Sequence, residues 1–245
     1  MTTTPKPPAT SGDDNDDGIP CQAKCDTCKE LFDTTRFTIA GRDFITQRTC
    51  QSCLAKAVEK EAAELKEKRR ALFFATAGVY YAETAHAHMP KERAKEVRAL
   101  VKSGRGVLAT GLSGTFKTTT IYNGAVRWLI ETGKEVTCMT AADFKNRITE
   151  AAKACRVRAF LKPLMKVHWL FIDDLGHNIT DTAAEGLHDL TEARVKAGCL
   201  PMLVTTQFGA EALMRQFPHA ETGLAVCRRL RLLCEKIEFA KPTNP

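Results

Sequence analysis

Three groups of residues have the types and spacing to do chemistry. The first runs from Gly111 to Thr118, Gly-Leu-Ser-Gly-Thr-Phe-Lys-Thr, after the apolar run Val107-Leu108-Ala109. This is the G-x-x-x-x-G-K-[ST] phosphate loop, with Phe116 standing where the pattern has Gly. Glycines let such a loop turn tightly, so that successive backbone N–H groups converge on phosphate oxygens at a helix N-terminus. The expected nucleotide-binding set is Gly111, Leu112, Ser113, Gly114, Thr115, Phe116, Lys117, Thr118 and Thr119. Lys117 would reach the β- and γ-phosphates, and the Thr118 hydroxyl would ligate Mg²⁺. Phe116 crowds a position whose N–H normally faces phosphate, and a left-handed backbone there costs a non-glycine residue about 1–2 kcal/mol.

The second group is Cys25-x₂-Cys28 and, after 21 residues, Cys50-x₂-Cys53. Two paired-thiolate knuckles at this separation match a four-cysteine zinc site. All four positions are thiolate, leaving none open for water, so the expected role is structural. Cys21 is a spare thiol. The third group is Asp173-Asp174, which ends the apolar run Val167–Ile172 and follows Lys117 by 56 residues. A buried strand ending in two acids is what a Walker B segment needs: Asp173 to hold Mg²⁺ and Asp174 to polarise an attacking water. A further apolar run, Leu200–Thr206, delivers Gln207 either to a γ-phosphate or simply into a loop.

The elements that must position these groups follow from patterning. The chain has 245 residues, 44% hydrophobic and 27% charged, which are globular values. Residues 1–20 carry one Lys and four Asp, a net of −3, and almost no apolar content; they are expected to be disordered. The remainder carries +10, which permits nucleic-acid contact without establishing it. No apolar run approaches a membrane span and no signal peptide opens the chain, so the expected location is cytoplasmic. Residues 21–53 form the expected zinc module, with Phe32, Phe37, Ile39 and Phe44 as its small core. Residues 54–90 read as a linker helix, with Leu54, Val58, Ala62, Leu65 and Leu72 at helical spacing and a basic cluster at Lys66, Lys68, Arg69 and Arg70. From residue 91 to 245, helical patterns alternate with short apolar runs, which predicts an α/β fold: a parallel sheet flanked by helices. Its expected strands are 106–110, 135–140, 167–174, 200–207 and 237–240.

Four segments together resemble the DnaC/DnaI-like helicase loaders and their IstB-like relatives within the AAA+ class. They are Gly111–Thr118, Leu170-Phe-Ile-Asp-Asp-Leu-Gly176, Leu203-Val-Thr-Thr-Gln207 and Val226-Cys-Arg-Arg-Leu230. The resemblance covers residues 91–240, and the cysteine module with its helix looks like the front end of DnaI-type and phage-encoded loaders. It implies a P-loop ATPase that uses ATP and Mg²⁺, with Lys117 and Thr118 on Walker A and Asp173 and Asp174 on Walker B. Gln207 falls on sensor 1, where the family usually has Asn. Arg229 matches an arginine finger that acts on a neighbouring subunit's nucleotide, and Lys236 falls near sensor 2, usually Arg. The implied partners are a DnaB-type replicative helicase, gripped by the zinc module, single-stranded DNA, and further copies of the chain in a homo-oligomer. The implied function is ATP-dependent loading of the helicase in DNA replication; a phage-encoded copy would act in its host's cytoplasm. Two alternatives stay open on the same core: an IstB-like transposition helper, and a non-hydrolysing adaptor, because of Phe116.

Overall fold

The structure, a computed structural model, describes residues 18–39 and 42–240. The chain divides into two compact units, up to Leu65 and from Lys66 onward. Most of the tail expected to be disordered, residues 1–17, lies outside the described residues; Ile19 and Pro20 already belong to a strand.

The first unit is an antiparallel meander of β1 (Ile19–Lys24), β2 (Leu31–Ile39) and β3 (Arg42–Ile45), followed by the start of α1 (Gln51–Val79). The β1–β2 turn carries Cys25 and Cys28, and the entry to α1 carries Cys50 and Cys53. The aromatic core expected here does not form. Ile39 and Phe44 are 63% and 51% exposed, and Phe32 and Phe37 are only half-buried. Three short strands cannot cover their own faces, and the buried centre is instead a thiol, Cys25.

The second unit begins inside α1, so the segment read as a linker helix divides between the units, 54–65 in the first and 66–90 in the second. Phe73 and Ala77 are buried in its core, Gly78 breaks the helix at φ 73°, and a π-helical turn (Tyr80–Thr84) and a 3₁₀ turn (Ala85–His88) lead into α2 (Lys91–Lys102). Arg69 donates to the Glu131 carbonyl at 2.6 Å, so part of the basic cluster closes a helix C-terminus. The chain continues through β4 (Gly106–Thr110) and then α3 (Lys117–Ile121), a π-helical turn (Tyr122–Val126) and α4 (Arg127–Glu131). Next come β5 (Val136–Thr140), α5 (Ala141–Lys153) and α6 (Val157–Lys166), the last not anticipated from the sequence. The remaining elements are β6 (Trp169–Asp173), α7 (Asp181–Lys196), β7 (Met202–Thr206), α8 (Ala210–Met214), α9 (Ala220–Leu233) and β8 (Cys234–Glu238).

All five strands of this unit are parallel, in the order β5-β6-β7-β4-β8. β6 and β7 are buried at every position, as strands covered on both faces must be. Alternation splits their side chains between two cores. Val107, Ala109, Phe171, Leu203 and Ile237 pack under α2, α3 and α4; Leu170, Ile172, Met202 and Val204 pack with residues of α5, α6, α7 and α9. The second layer is pinned by Arg194 of α7, which is 0% exposed. Its guanidinium donates to the carbonyls of Leu164, Val167, His168 and Pro201 at 2.7–2.9 Å, and burial pushes its pKa down to about 10.

Candidate functional site

The topology brings the loop and the acids together without making their strands neighbours. β7 lies between β4, which feeds the loop, and β6, which ends at Asp173. The ends of the three strands open on one cleft of about 470 Å³. Its walls include Ser113 to Thr119, Asp173, Asp174, Thr205 and Gln207, together with Tyr80 and Tyr81.

Gly111 is required where it stands. Its φ is 144°, and a Cβ there would lie 2.2 Å from the Phe239 carbonyl oxygen. That residue is held down by its own N–H, which donates to the Thr110 carbonyl at 2.7 Å. Phe116 has φ 62° and ψ 22°, the left-handed conformation that a glycine adopts freely. Its ring stacks on His88, with centroids 6.3 Å apart and planes 27° apart, so the turn before α2 supports the residue that departs from the motif.

Lys117 is folded into its own loop, donating to the Leu112 carbonyl at 2.7 Å and reaching Thr115 Oγ1 at 3.4 Å. Burial lowers its pKa below the usual lysine range, and the facing Asp174 and Asp173 oppose that. Thr118 Oγ1 donates to Asp173 Oδ1 at 2.8 Å, and the Thr205 hydroxyl donates to the same oxygen. Burial raises the Asp173 pKa, while those two hydrogen bonds hold it down. One hydroxyl and one carboxylate side by side, on the rim of a phosphate loop, fit Mg²⁺, which takes one or two protein ligands and completes its shell with water and phosphate. Asp174 has φ 55° and is more exposed; its carboxylate lies 3.8 Å from His177 Nε2.

Four predicted residues do not line this cleft: Gly111 and Leu112, at the start of the loop, and Lys236 and Arg229, which lie away from it. Lys236 pairs in register with Leu108, so the pleat sets it on the opposite face from Ala109 and Ile237, beside Thr206 and Phe208. Its ammonium lies 3.3 Å from Glu238. The expected strand at 237–240 begins at Cys234 instead, because α9 ends at Leu233. Arg229 sits on α9, 22% exposed and 3.4 Å from Glu192 of α7, with Nη1 buried and unpartnered. Conversely, Tyr80 and Tyr81 reach the cleft with no motif to announce them, and so does Thr205, which lies inside the Leu203–Gln207 segment without an assigned role. Tyr81 stacks on Tyr122, and its carbonyl accepts from Asn123 at 2.8 Å.

In the first unit the Sγ atoms of Cys25, Cys28, Cys50 and Cys53 all lie within 4.8 Å of one another, and Cys28 and Cys50 are 3.7 Å apart. A tetrahedron with Zn–S bonds of about 2.3 Å has edges of about 3.8 Å. The Cys28 and Cys50 N–H groups pull the Cys25 thiol down to about 6, whereas the neighbouring Cys50 and Cys28 sulfurs push Cys53 up to about 12. Four thiolates in this space need a cation, and the donor set fits zinc. Cys21, on β1, lies outside the cluster.

A last feature is electrostatic. Arg147, Lys153, Arg156, Arg158, Lys162 and Lys166 are exposed on and between α5 and α6. Among the described residues none of the six is in an ion pair. No helix among the described residues is long and apolar enough to cross a membrane.

No protein-family model and no curated protein sequence matches the chain. Among solved structures it is similar to DnaI, at 19% identity over 59% of this chain and 80% of that one, with a TM-score of 0.52. It is also similar to the DnaC helicase loader, at 18% identity over 59% of this chain and 86% of that one, TM-score 0.51. A third likeness is to domain III of the replication initiation protein DnaA of Thermotoga maritima, at 18% identity over 62% and 61%, TM-score 0.51. What is shared at these identities is the fold, that of the AAA+ P-loop proteins.

Proposed function

We propose that the chain is an ATP-dependent loader that delivers a DnaB-type replicative helicase to single-stranded DNA. The observation that carries this reading is the cleft in which Lys117, Thr118, Asp173, Asp174 and Gln207 converge beside a phosphate loop. Thr118 and Asp173 are the residues to hold Mg²⁺, which when bound would neutralise phosphate charge. Loop N–H groups and Lys117 bind the phosphates, Asp174 orients the attacking water, and Gln207 offers its amide at the mouth. Arg229 is the residue to serve a neighbouring copy's cleft, where a charge supplied in trans is worth about 10³–10⁵ in rate; the active form is then an oligomer.

The fold shared with a helicase loader and the four-thiol module support the helicase partner; the module is its proposed grip. The unpaired cations of α5 and α6 support the DNA partner. Replacing Arg156 and Arg158 by Gln should weaken single-strand binding and lower the salt slope, log K against log salt, by about 0.7 per lost phosphate contact. Titrations at several salt concentrations check this; an unchanged slope places the DNA elsewhere.

The decisive experiment is a pull-down of candidate replicative helicases with and without ATP, using the full chain and its Lys117→Ala variant. ATP-dependent capture lost in the variant is expected; no capture of any helicase overturns the loader. The left-handed Phe116 favours a second reading, a nucleotide-indifferent adaptor. Measuring ATP affinity and turnover for the chain and for Phe116→Gly separates them, since an adaptor shows neither.

A further inference from the structure

Thr205 is 1% exposed in β7, paired with Ala109 of β4 on one side. On its other side the β6–β7 ladder has already ended at Ile172 and Val204. Three hydrogen bonds, all made by Thr205, take the ladder's place. Its hydroxyl donates to Asp173 Oδ1 and accepts the Asp174 N–H at 2.8 Å, and its carbonyl accepts the Leu175 N–H at 2.8 Å. A hydroxyl offers one donor and two lone pairs, so a single oxygen serves both acids. Valine would fill the same space and could do neither.

We infer that Thr205 is the positioning residue of the acid pair: it holds the Asp173 carboxylate toward Thr118 and locks the left-handed turn that sets Asp174 at the cleft. The inference rests on the reading of this cleft as an ATP-hydrolysing site and adds a residue to it. Thr118, the proposed magnesium ligand, shares Asp173 Oδ1 with Thr205. Thr205 is outside the ligand set, so its hydroxyl is the one committed to the carboxylate. The backbone at Asp174, φ 55°, is one that non-glycine residues keep only when neighbours over-determine it; the two bonds from the 174 and 175 N–H groups supply that constraint.

The test compares the full chain with Thr205→Val and Thr205→Ser. Three quantities are read: amide hydrogen exchange at Asp174 and Leu175 without nucleotide, the ratio of fluorescent ATP affinity in Mg²⁺ to that in EDTA, and turnover at saturating ATP. In Thr205→Val, exchange at the two amides should rise about tenfold or more, the Mg²⁺/EDTA ratio should fall toward one, and turnover should drop by about 10–100-fold, the usual cost of losing a group that orients a metal ligand. Affinity in EDTA should hold within about threefold. Thr205→Ser, which keeps the hydroxyl and loses a methyl, should restore all three. Exchange and Mg²⁺ ratio unchanged in Thr205→Val overturn the inference, as does equal damage in Thr205→Ser, which makes the residue a packing element. If Thr205→Val does not fold, Thr205→Cys, a weak donor of similar size, takes its place. Should the unmodified chain neither bind nor hydrolyse ATP, the functional reading falls, and the exchange comparison still decides the role of Thr205 in the turn.

Discussion

At the scale of single residues, Phe116 opposes two effects. Its left-handed backbone costs about 1–2 kcal/mol, and its stacking on His88 returns about 0.5–1.5 kcal/mol. Phe116→Ala keeps the first and loses the second, whereas Phe116→Gly is relieved of both. Thermal melts should therefore rank Phe116→Ala lowest, about 1 kcal/mol below the unmodified chain, with Phe116→Gly within about 1 kcal/mol of it; Phe116→Ala equal to the others would mean the ring contributes nothing. Lys117, Thr118, Asp173 and Asp174 were legible in the sequence because a phosphate loop and an acid-ended strand each impose residue types at fixed spacing. Thr205 was not, since a β-branched residue in a strand looks like ordinary sheet filling. Only the third dimension shows that its hydroxyl meets the Asp173 carboxylate and the Asp174 backbone N–H.

At the scale of elements, the sequence located four of the five core strands by their apolar runs and misjudged the last. α9 stops at Leu233 and β8 starts at once with Cys234, leaving no turn residue to mark the boundary. That moved Lys236 into mid-strand, where pleat parity put it on the wrong face for the cleft. In the four-cysteine module, hydrophobicity alone made Ile39 and Phe44 core residues, and a three-stranded meander has nothing to bury them against. The contact between β4 and the end of β8 carries its own prediction. Gly111→Ala forces a Cβ against the Phe239 carbonyl, and backbone cannot yield as a side chain can. It should cost about 2–3 kcal/mol in denaturant melts and abolish ATP binding; a variant of unchanged stability would mean that the β4–loop junction is mobile.

At the scale of the whole molecule, the two units draw on different sources of stability. The second buries two hydrophobic cores, one on each face of its sheet, while among the described residues of the first only Cys25 is fully buried. Small modules of that kind owe their folding to the metal. A strong chelator should remove one zinc per chain by elemental analysis and abolish amide protection across residues 19–50, leaving the thermal transition of the second unit within about 2 °C. Loss of the second unit's transition as well would show that they fold as one. Arg194 has a consequence in time rather than in stability. Its four carbonyl partners belong to segments from Leu164 to Pro201, and the charge cannot leave water at tolerable cost until all of them are in place. Docking of this guanidinium should therefore come after the rate-limiting barrier, and Arg194→Met should unfold about 10²-fold faster while refolding at nearly the normal rate, as stopped-flow denaturant jumps would record. The buried arginine then acts as a late-closing bolt, setting how long the finished fold lasts and leaving almost untouched how quickly it is reached.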